Sequence, residues 1–316
     1  VHETPPTALP PRSRAKFRHH LLADVNLLLV ALIWGVNMPI MKFALSRMDE
    51  FLFNAYRLTL SAIVLGLFSW WQRARLIDRT EFAKPIARQW FNIIAFALFT
   101  GFGYQVLFLL GIKATSATNT AFIMSAIPVW IAVLAFFLLK ERLGHLAWIG
   151  LAVALAGTLI VTLGKQQSGM SVNSLAGNLL VSAAAFSWAL GSVISRPIMK
   201  NISPIALAFF AIGATVPLHL MIAGHVMWQT PDLFSDPLLL AALLYSGVFS
   251  TGLAYAMWNY GVKVIGPGQA AGFQNLVPLI AMFSSWLMIG EVPFAMQLLG
   301  GALIISGLAV MRTRRV

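Results

Sequence analysis

The chain has 316 residues, 59% of them hydrophobic and only 10% charged, with a net charge of +12 and no cysteine. A soluble domain carries about 25% charge, and a soluble protein this apolar would expose large greasy patches, so the composition calls for lipid as solvent. The missing cysteines exclude disulfides, thiolate metal sites and a cysteine nucleophile, and the basic excess clusters at the ends of apolar runs, where the positive-inside rule explains it better than nucleic-acid binding.

In chain order, residues 1–24 form a basic, proline-rich tail, with "PPRSRAKFRHH" at its centre and no apolar run of its own. The segment behind it is too long for a signal-peptide core and reads as an uncleaved first span. A spanning helix needs about 20 mostly apolar residues. Ten segments qualify: 25–45, 51–72, 90–112, 116–139, 145–163, 175–199, 204–226, 238–262, 268–289 and 294–311. Their short connections imply one bundle, and no strand-like alternation competes. With the tail in the cytoplasm, seventeen of the 22 Lys and Arg fall on the cytoplasmic side. Only Lys42, Arg47, Lys113 and Lys165 fall outside, so the expectation is a multi-pass protein of the cell (inner) membrane with both ends cytoplasmic. Arg57 sits within the second span, about 9 Å from the helix end, and is expected to snorkel outward.

The chain repeats itself. "SAIPVWIAVLAFFLLKERL" (125–143) and "NLVPLIAMFSSWLMIGEVP" (275–293) align at an offset of 150, pairing Pro128 with Pro278 and Glu141 with Glu291. Gly111 pairs with Gly261, and Gly150 and Gly157 pair with Gly300 and Gly307. Earlier in each half the offset is 154, pairing Trp34 with Trp188 and Lys42 with Arg196. The expected architecture is all-α and integral to the membrane, with ten transmembrane helices as two inverted five-helix repeats, 25–163 and 175–311. The linker is 164–174 and the closing basic tail 312–316. Five spans per half is odd, so the halves insert oppositely, an arrangement common in secondary transporters.

"ATSATNTAFIMSAIPVWIAVLAFFLLKERL" (114–143), "GPGQAAGFQNLVPLIAMFSSWLMIGEVP" (266–293) and the paired Trp34 and Trp188 resemble the drug/metabolite transporter superfamily, with two EamA-type domains covering nearly all the chain after residue 24. The resemblance implies a carrier of small molecules. Its second half departs from the pattern where Gly290 and Val292 replace the Lys140 and Arg142 that flank Glu141.

Both prolines fall near mid-membrane, where each would free the carbonyl four residues back, at Met124 and Gln274. At similar depth lie Trp34, Asn37, Thr100, Tyr104, Gln105, Ser125, Trp188, Ser192, Ser250, Thr251, Tyr255, Gln274 and Asn275. Ser, Thr and Asn are also ordinary glue between membrane helices. Trp at mid-depth is less ordinary, because lipid-anchoring Trp prefers the interfaces. Apart from Thr251, this layer forms the expected substrate site. Pro128, Pro278, Glu141 and Glu291 are candidate hinge or gate residues, although the prolines could be packing kinks and Glu141 could simply pair with Lys140 or Arg142. His219 and His225 read as packing or interface residues, and the four helix glycines as close contacts, within the chain or between protomers.

No Asp or Glu lies deep in a span, which speaks against a proton relay or a cation site. No basic cluster suits a phosphate carrier. A nearly neutral aromatic and amide-lined chamber suits amino acids or similar neutral or zwitterionic metabolites, and within the superfamily this looks most like the neutral and aromatic amino-acid exporters. The expectation is alternating-access efflux down the substrate's own gradient. The partners are a small-molecule substrate and the lipid bilayer, with no nucleic acid, no cofactor and no metal, in a monomer or homodimer. Two alternatives stay open: a proton-coupled drug or metabolite efflux carrier using Glu141 or Glu291, and an intramembrane enzyme acting on lipid, for which no acid–base or metal constellation is visible.

Overall fold

The computed structural model describes residues 11–75, 87–114, 123–163, 175–227, 235–290, 292–293 and 295–312, and among them every regular element is helical. The helices are α1 (Pro11–Leu45), α2 (Glu50–Arg75), α3 (87–114), α4 (Ile127–Leu139), α5 (His145–Leu163), α6 (Leu175–Ile198), α7 (Pro204–Ala223), α8 (Pro237–Ile265), α9 (Pro267–Gln274 continued by Leu276–Ile289) and α10 (Ala295–Arg312). Seven are long and apolar enough to cross a membrane, and three apolar helices, in α4, α5 and α10, are shorter. The helix α1 starts at Pro11, inside the segment expected to be tail. Proline is suited to a first helical turn, and the basic residues behind it are good helix formers.

Polarity is turned inside out relative to a soluble protein. Phe91, Phe137, Met221 and Leu287 are 74%, 71%, 77% and 80% exposed, while Asn37, Asn54, Arg57 and Gln105 are buried. This is a multi-pass membrane protein, whose apolar surface faces lipid and whose polar side chains satisfy one another within.

Two helices depart from α geometry at corresponding places. In α3 residues Ala97–Gly103 form a π-helical turn, and in α8 residues Tyr245–Leu253 do the same. Both turns carry paired glycines, and their carbonyls accept side-chain donors from other helices. Ser187 Oγ donates to Phe99 O, His219 Nε2 to Gly101 O, Ser61 Oγ to Gly247 O and Trp34 Nε1 to Ser250 O.

The two proline-bearing spans are broken rather than kinked. The chain turns at Ser125–Ala126 before α4, which places Pro128 in the first helical turn, where its missing N–H costs nothing. The Ala126 carbonyl already accepts from Val129 and Trp130. In α9 the break is at Asn275, and Pro278 is the third residue of the second piece. The expected single helix over 116–139 is therefore corrected for its described part: helical residues 123–124 are separated from α4, which begins at Ile127, by the turn at Ser125–Ala126, and 116–122 lie outside the described residues.

Helix contacts are paired. The helix α3 packs on α6 as α8 packs on α1, α4 on α6 as α9 on α1, and α2 on α8 as α7 on α3. The pairs α2 with α7 and α5 with α10 map onto themselves. A Cβ added to Gly150 would lie 2.5 Å from Gly307 O, and one added to Gly157 would lie 2.5 Å from Gly300 O. As one number rises the other falls, so α5 and α10 run antiparallel. These glycines are close contacts within one chain, which corrects the alternative that they serve contacts between protomers.

Candidate functional site

The core of the bundle is a cluster of aromatic rings contributed by α1, α3, α6 and α8. Trp34 meets Trp188 edge-on at 5.6 Å between centroids, and Trp258 lies 5.7 Å from Trp34 and 6.4 Å from Trp188. Tyr104 is 5.1 Å and Tyr255 5.8 Å from Trp188. The Tyr255 hydroxyl donates to Thr100 Oγ1 at 2.6 Å, and its ring stacks on Phe96. Ser250 joins the cluster through its backbone, whose carbonyl accepts from Trp34. Six of the expected site residues, from four helices, thus meet at one place.

Trp258 and Phe96 belong to the cluster and were not among the residues singled out by sequence. Trp258 could have been found: it sits 150 residues after Phe108, whose ring lies 5.9 Å from Tyr104, and one turn after Tyr255. Trp258 Nε1, in the cluster, is buried without a partner, as are both side-chain polar atoms of Asn259, the next residue of α8, and Gln274 Oε1 in α9. A buried polar group with no partner costs about 1–3 kcal/mol, and bound water or a ligand relieves it.

Arg57 does not snorkel, which corrects the expectation. It is buried, and its guanidinium turns inward among neutral acceptors. Its Nε donates to Asn54 Oδ1 at 2.8 Å, Nη1 to Thr251 Oγ1 at 3.3 Å, and Nη2 to Gln105 Oε1 at 2.7 Å. Asn54 continues to His219 Nδ1 at 3.3 Å, and His219 Nε2 reaches the π-turn carbonyl of Gly101 at 2.8 Å. Snorkelling loses because three oxygens lie within reach inside, and each satisfies a donor that would otherwise face acyl chains. Gln105 therefore belongs to the arginine rather than to the rings.

The other expected residues are buried elsewhere or act as glue. Asn37 accepts from Ser246 Oγ at 2.6 Å, joining α1 to α8. Asn275 faces α5, where Thr158 Oγ1 donates to its Oδ1 at 3.1 Å. Ser192 and Ser125 are buried, the former with its carbonyl bonded to Ser195 Oγ. Exposed His225 bonds within its own turn, to Ile222 O, whereas His219 bridges α7 to α2 and α3, as a packing residue does.

Ion pairs mark both ends of the bundle. Glu141, just past α4, meets Arg196 of α6 at 3.4 Å and accepts from the N–H of Gly268 at the start of α9. The expected partners, Lys140 and Arg142, are thus replaced by a residue from the other half, because the left-handed turn at Lys140 redirects the chain after α4. Burial pushes the Glu141 carboxyl up from its ordinary value, and Arg196 and Gly268 offset this in part. Beside it, Gly266 has φ +87°, and a Cβ there would lie 2.5 Å from Glu141 Oε1. At the opposite end Arg47, before α2, pairs with Asp236, the N-cap of α8. Glu291 lies outside the described residues. Among the described residues, no group of three His, Asp or Glu side chains could hold a metal.

Residues 21–163 and 175–313 each match the EamA-like transporter family. The chain belongs to that family. Similar proteins include "Uncharacterized transporter YoaV" of Bacillus subtilis, 27% identical over 286 residues, 90% of this chain and 94% of that one. Another is a Salmonella typhimurium protein named "Probable amino-acid metabolite efflux pump", 26% identical over 307 residues, 92% of this chain and 96% of that one. One solved crystal structure shares the fold, with a TM-score of 0.77 at 20% identity, covering 92% of this chain and 96% of its own. The EamA membership makes this a transporter of the drug/metabolite superfamily.

Proposed function

We propose that this EamA protein exports amino acids or similar small neutral or zwitterionic metabolites by alternating access, driven by the substrate's own gradient. Ten spans form two inverted halves, 25–163 and 175–311, set in the inner membrane with both ends cytoplasmic. The antiparallel glycine contact of α5 with α10 supports the inversion, since these helices occupy equivalent places in the repeat. So does the interchange of helix contacts. The two ion pairs support the ten-span count: Glu141–Arg196 joins connections an even number of spans from the start, and Arg47–Asp236 joins odd ones.

The observation that carries the reading is the ring cluster at the meeting of the halves, edged by the unpartnered Trp258 indole N–H and Asn259 amide. Rings would cover an apolar side chain, and idle polar atoms would take up a ligand's hydrogen bonds. Two broken helices and two π turns surround it, backbone irregularity that membranes tolerate where it lines a site. The relative named for amino-acid metabolite efflux agrees in substrate class. A proton-coupled route through Glu141 has less support, because that carboxylate is held by Arg196 and Gly268 at the bundle's end. Reconstituted vesicles loaded with labelled amino acids test the proposal. Saturable efflux that persists without a pH gradient is the expected result; flux of organic cations alone, with strict proton coupling, would overturn it.

A further inference from the structure

A guanidinium buried in a membrane bundle is costly unless its charge is balanced. Arg57 is buried among polar side chains that are all neutral: Asn54, Thr251 and Gln105, with the Met41 sulfur at 4.0 Å. A guanidinium has five N–H groups. Oxygens hold three of them, a fourth faces only the thioether, a poor acceptor, and the Nη2 nitrogen keeps one more. One positive charge and two weakly used donors on adjacent nitrogens therefore remain for a ligand. Hydrogen bonds fix the arginine in place rather than neutralising it. Asn54 is itself held by His219, whose second nitrogen is held by the Gly101 carbonyl, so the Nε edge of the fork is fixed from two helices.

The position adjoins the ring cluster on two sides. Gln105 follows Tyr104, whose ring touches Trp188, and Thr251 follows Ser250, whose carbonyl binds Trp34. We propose that Arg57 binds the carboxylate of the transported molecule, with two N–H groups of its fork on the two oxygens, while the rings of Trp34, Trp188 and Trp258 cover the remainder. A singly charged, planar, two-oxygen group matches one guanidinium. A phosphate would call for further cations, and none of the side chains that touch Arg57 is one. The repeat sharpens the point. The residue corresponding to Arg57 in the second half is Ala211, fully buried, so the site has one charged end and orients its ligand. This inference rests on the transport reading but concerns binding, and the two can fail separately.

The test uses the full chain in detergent and the fluorescence of its tryptophans, with L-phenylalanine, L-leucine and L-threonine, their C-terminal amides, and 3-phenylpropionate as probes. The wild-type protein is expected to bind the amino acids at least about tenfold more tightly than the amides, the usual discrimination when a charged hydrogen bond is lost. Binding of 3-phenylpropionate shows that the carboxylate suffices; its failure beside bound phenylalanine shows that the ammonium group is also read, and the acid-to-amide ratio still decides the proposal. Arg57→Gln is expected to bring that ratio to near one, and Arg57→Lys to keep part of it. The wild-type comparison needs no variant, so a misfolded Arg57→Gln leaves the test intact. Equal binding of acid and amide, no binding of any acid, or an unchanged ratio in a folded Arg57→Gln would overturn the proposal. Flux of amino acids without discrimination would sink the arginine's role and leave the transport reading standing. Discrimination without flux would do the reverse.

Discussion

Trp188 touches four other rings, those of Trp34, Tyr104, Tyr255 and Trp258, so it is the residue whose loss opens the cluster most. Trp188→Ala is expected to reduce amino-acid efflux from vesicles more than tenfold, whereas Trp188→Phe retains most of it, because truncating a large ring costs about 3–5 kcal/mol and a ring-for-ring exchange much less. Trp34 adds a hydrogen bond, and Trp34→Phe keeps the packing while removing the donor to Ser250. The expected loss is about 0.6 kcal/mol, the mean for a polar contact between membrane helices, read as a small fall in melting temperature. The tryptophan pair was legible in the sequence because indoles at mid-depth are unusual and both halves carry one. Arg57 was legible as lying within a span, but not in its direction, which was expected to be outward. Spacing gives the depth of a side chain, while the choice between acyl chains and interior depends on acceptors from α3 and α8 that only folding brings near.

At the scale of helices, the antiparallel contact of α5 with α10 rests on the absence of side chains. A Cβ on Gly157 would meet Gly300 O at 2.5 Å and Ile304 N at 2.7 Å, both backbone atoms that cannot swing aside. Gly157→Ala is therefore expected to destabilise by about 1–3 kcal/mol, the usual range for overpacking, visible as a lower melting temperature of the purified protein. The repeated proline marked where α4 and α9 are interrupted, but not that the break precedes the proline. The π turns of α3 and α8 left no periodic trace, since a single wide turn shifts the apolar face by less than composition can register. The Glu141–Arg196 contact also belongs to this scale, because it ties α4, α6 and α9 together. Its carboxyl binds protons more readily in this arrangement than in the unfolded chain, so stability falls as pH rises above the ordinary value of 4.5. Melting temperature measured across that window is expected to slope downward for wild type and less so for Glu141→Gln. An equal slope in the two would remove Glu141 as the source.

For the whole molecule, an apolar exterior encloses a polar interior, and the repeat in sequence reappears as an interchange of contacts in space. The repeat was legible because Pro128 and Pro278, Glu141 and Glu291, and the glycines of α5 and α10 keep one offset. The meeting of Trp34 with Trp188 was inferred only from shared depth, and their 5.6 Å separation is a property of the assembled bundle. In this arrangement the rings close on one another, and the alternating access we propose parts the halves at each end in turn, with Glu141–Arg196 and Arg47–Asp236 at opposite ends.

The absence of native cysteines makes that motion directly measurable. With Ser250→Cys as the only thiol, an impermeant maleimide is applied to either face of sealed vesicles. Labelling from both faces is expected, slowed in each case by saturating amino acid. Labelling from one face only, or from neither while efflux continues, would contradict a central site alternately open to the two sides.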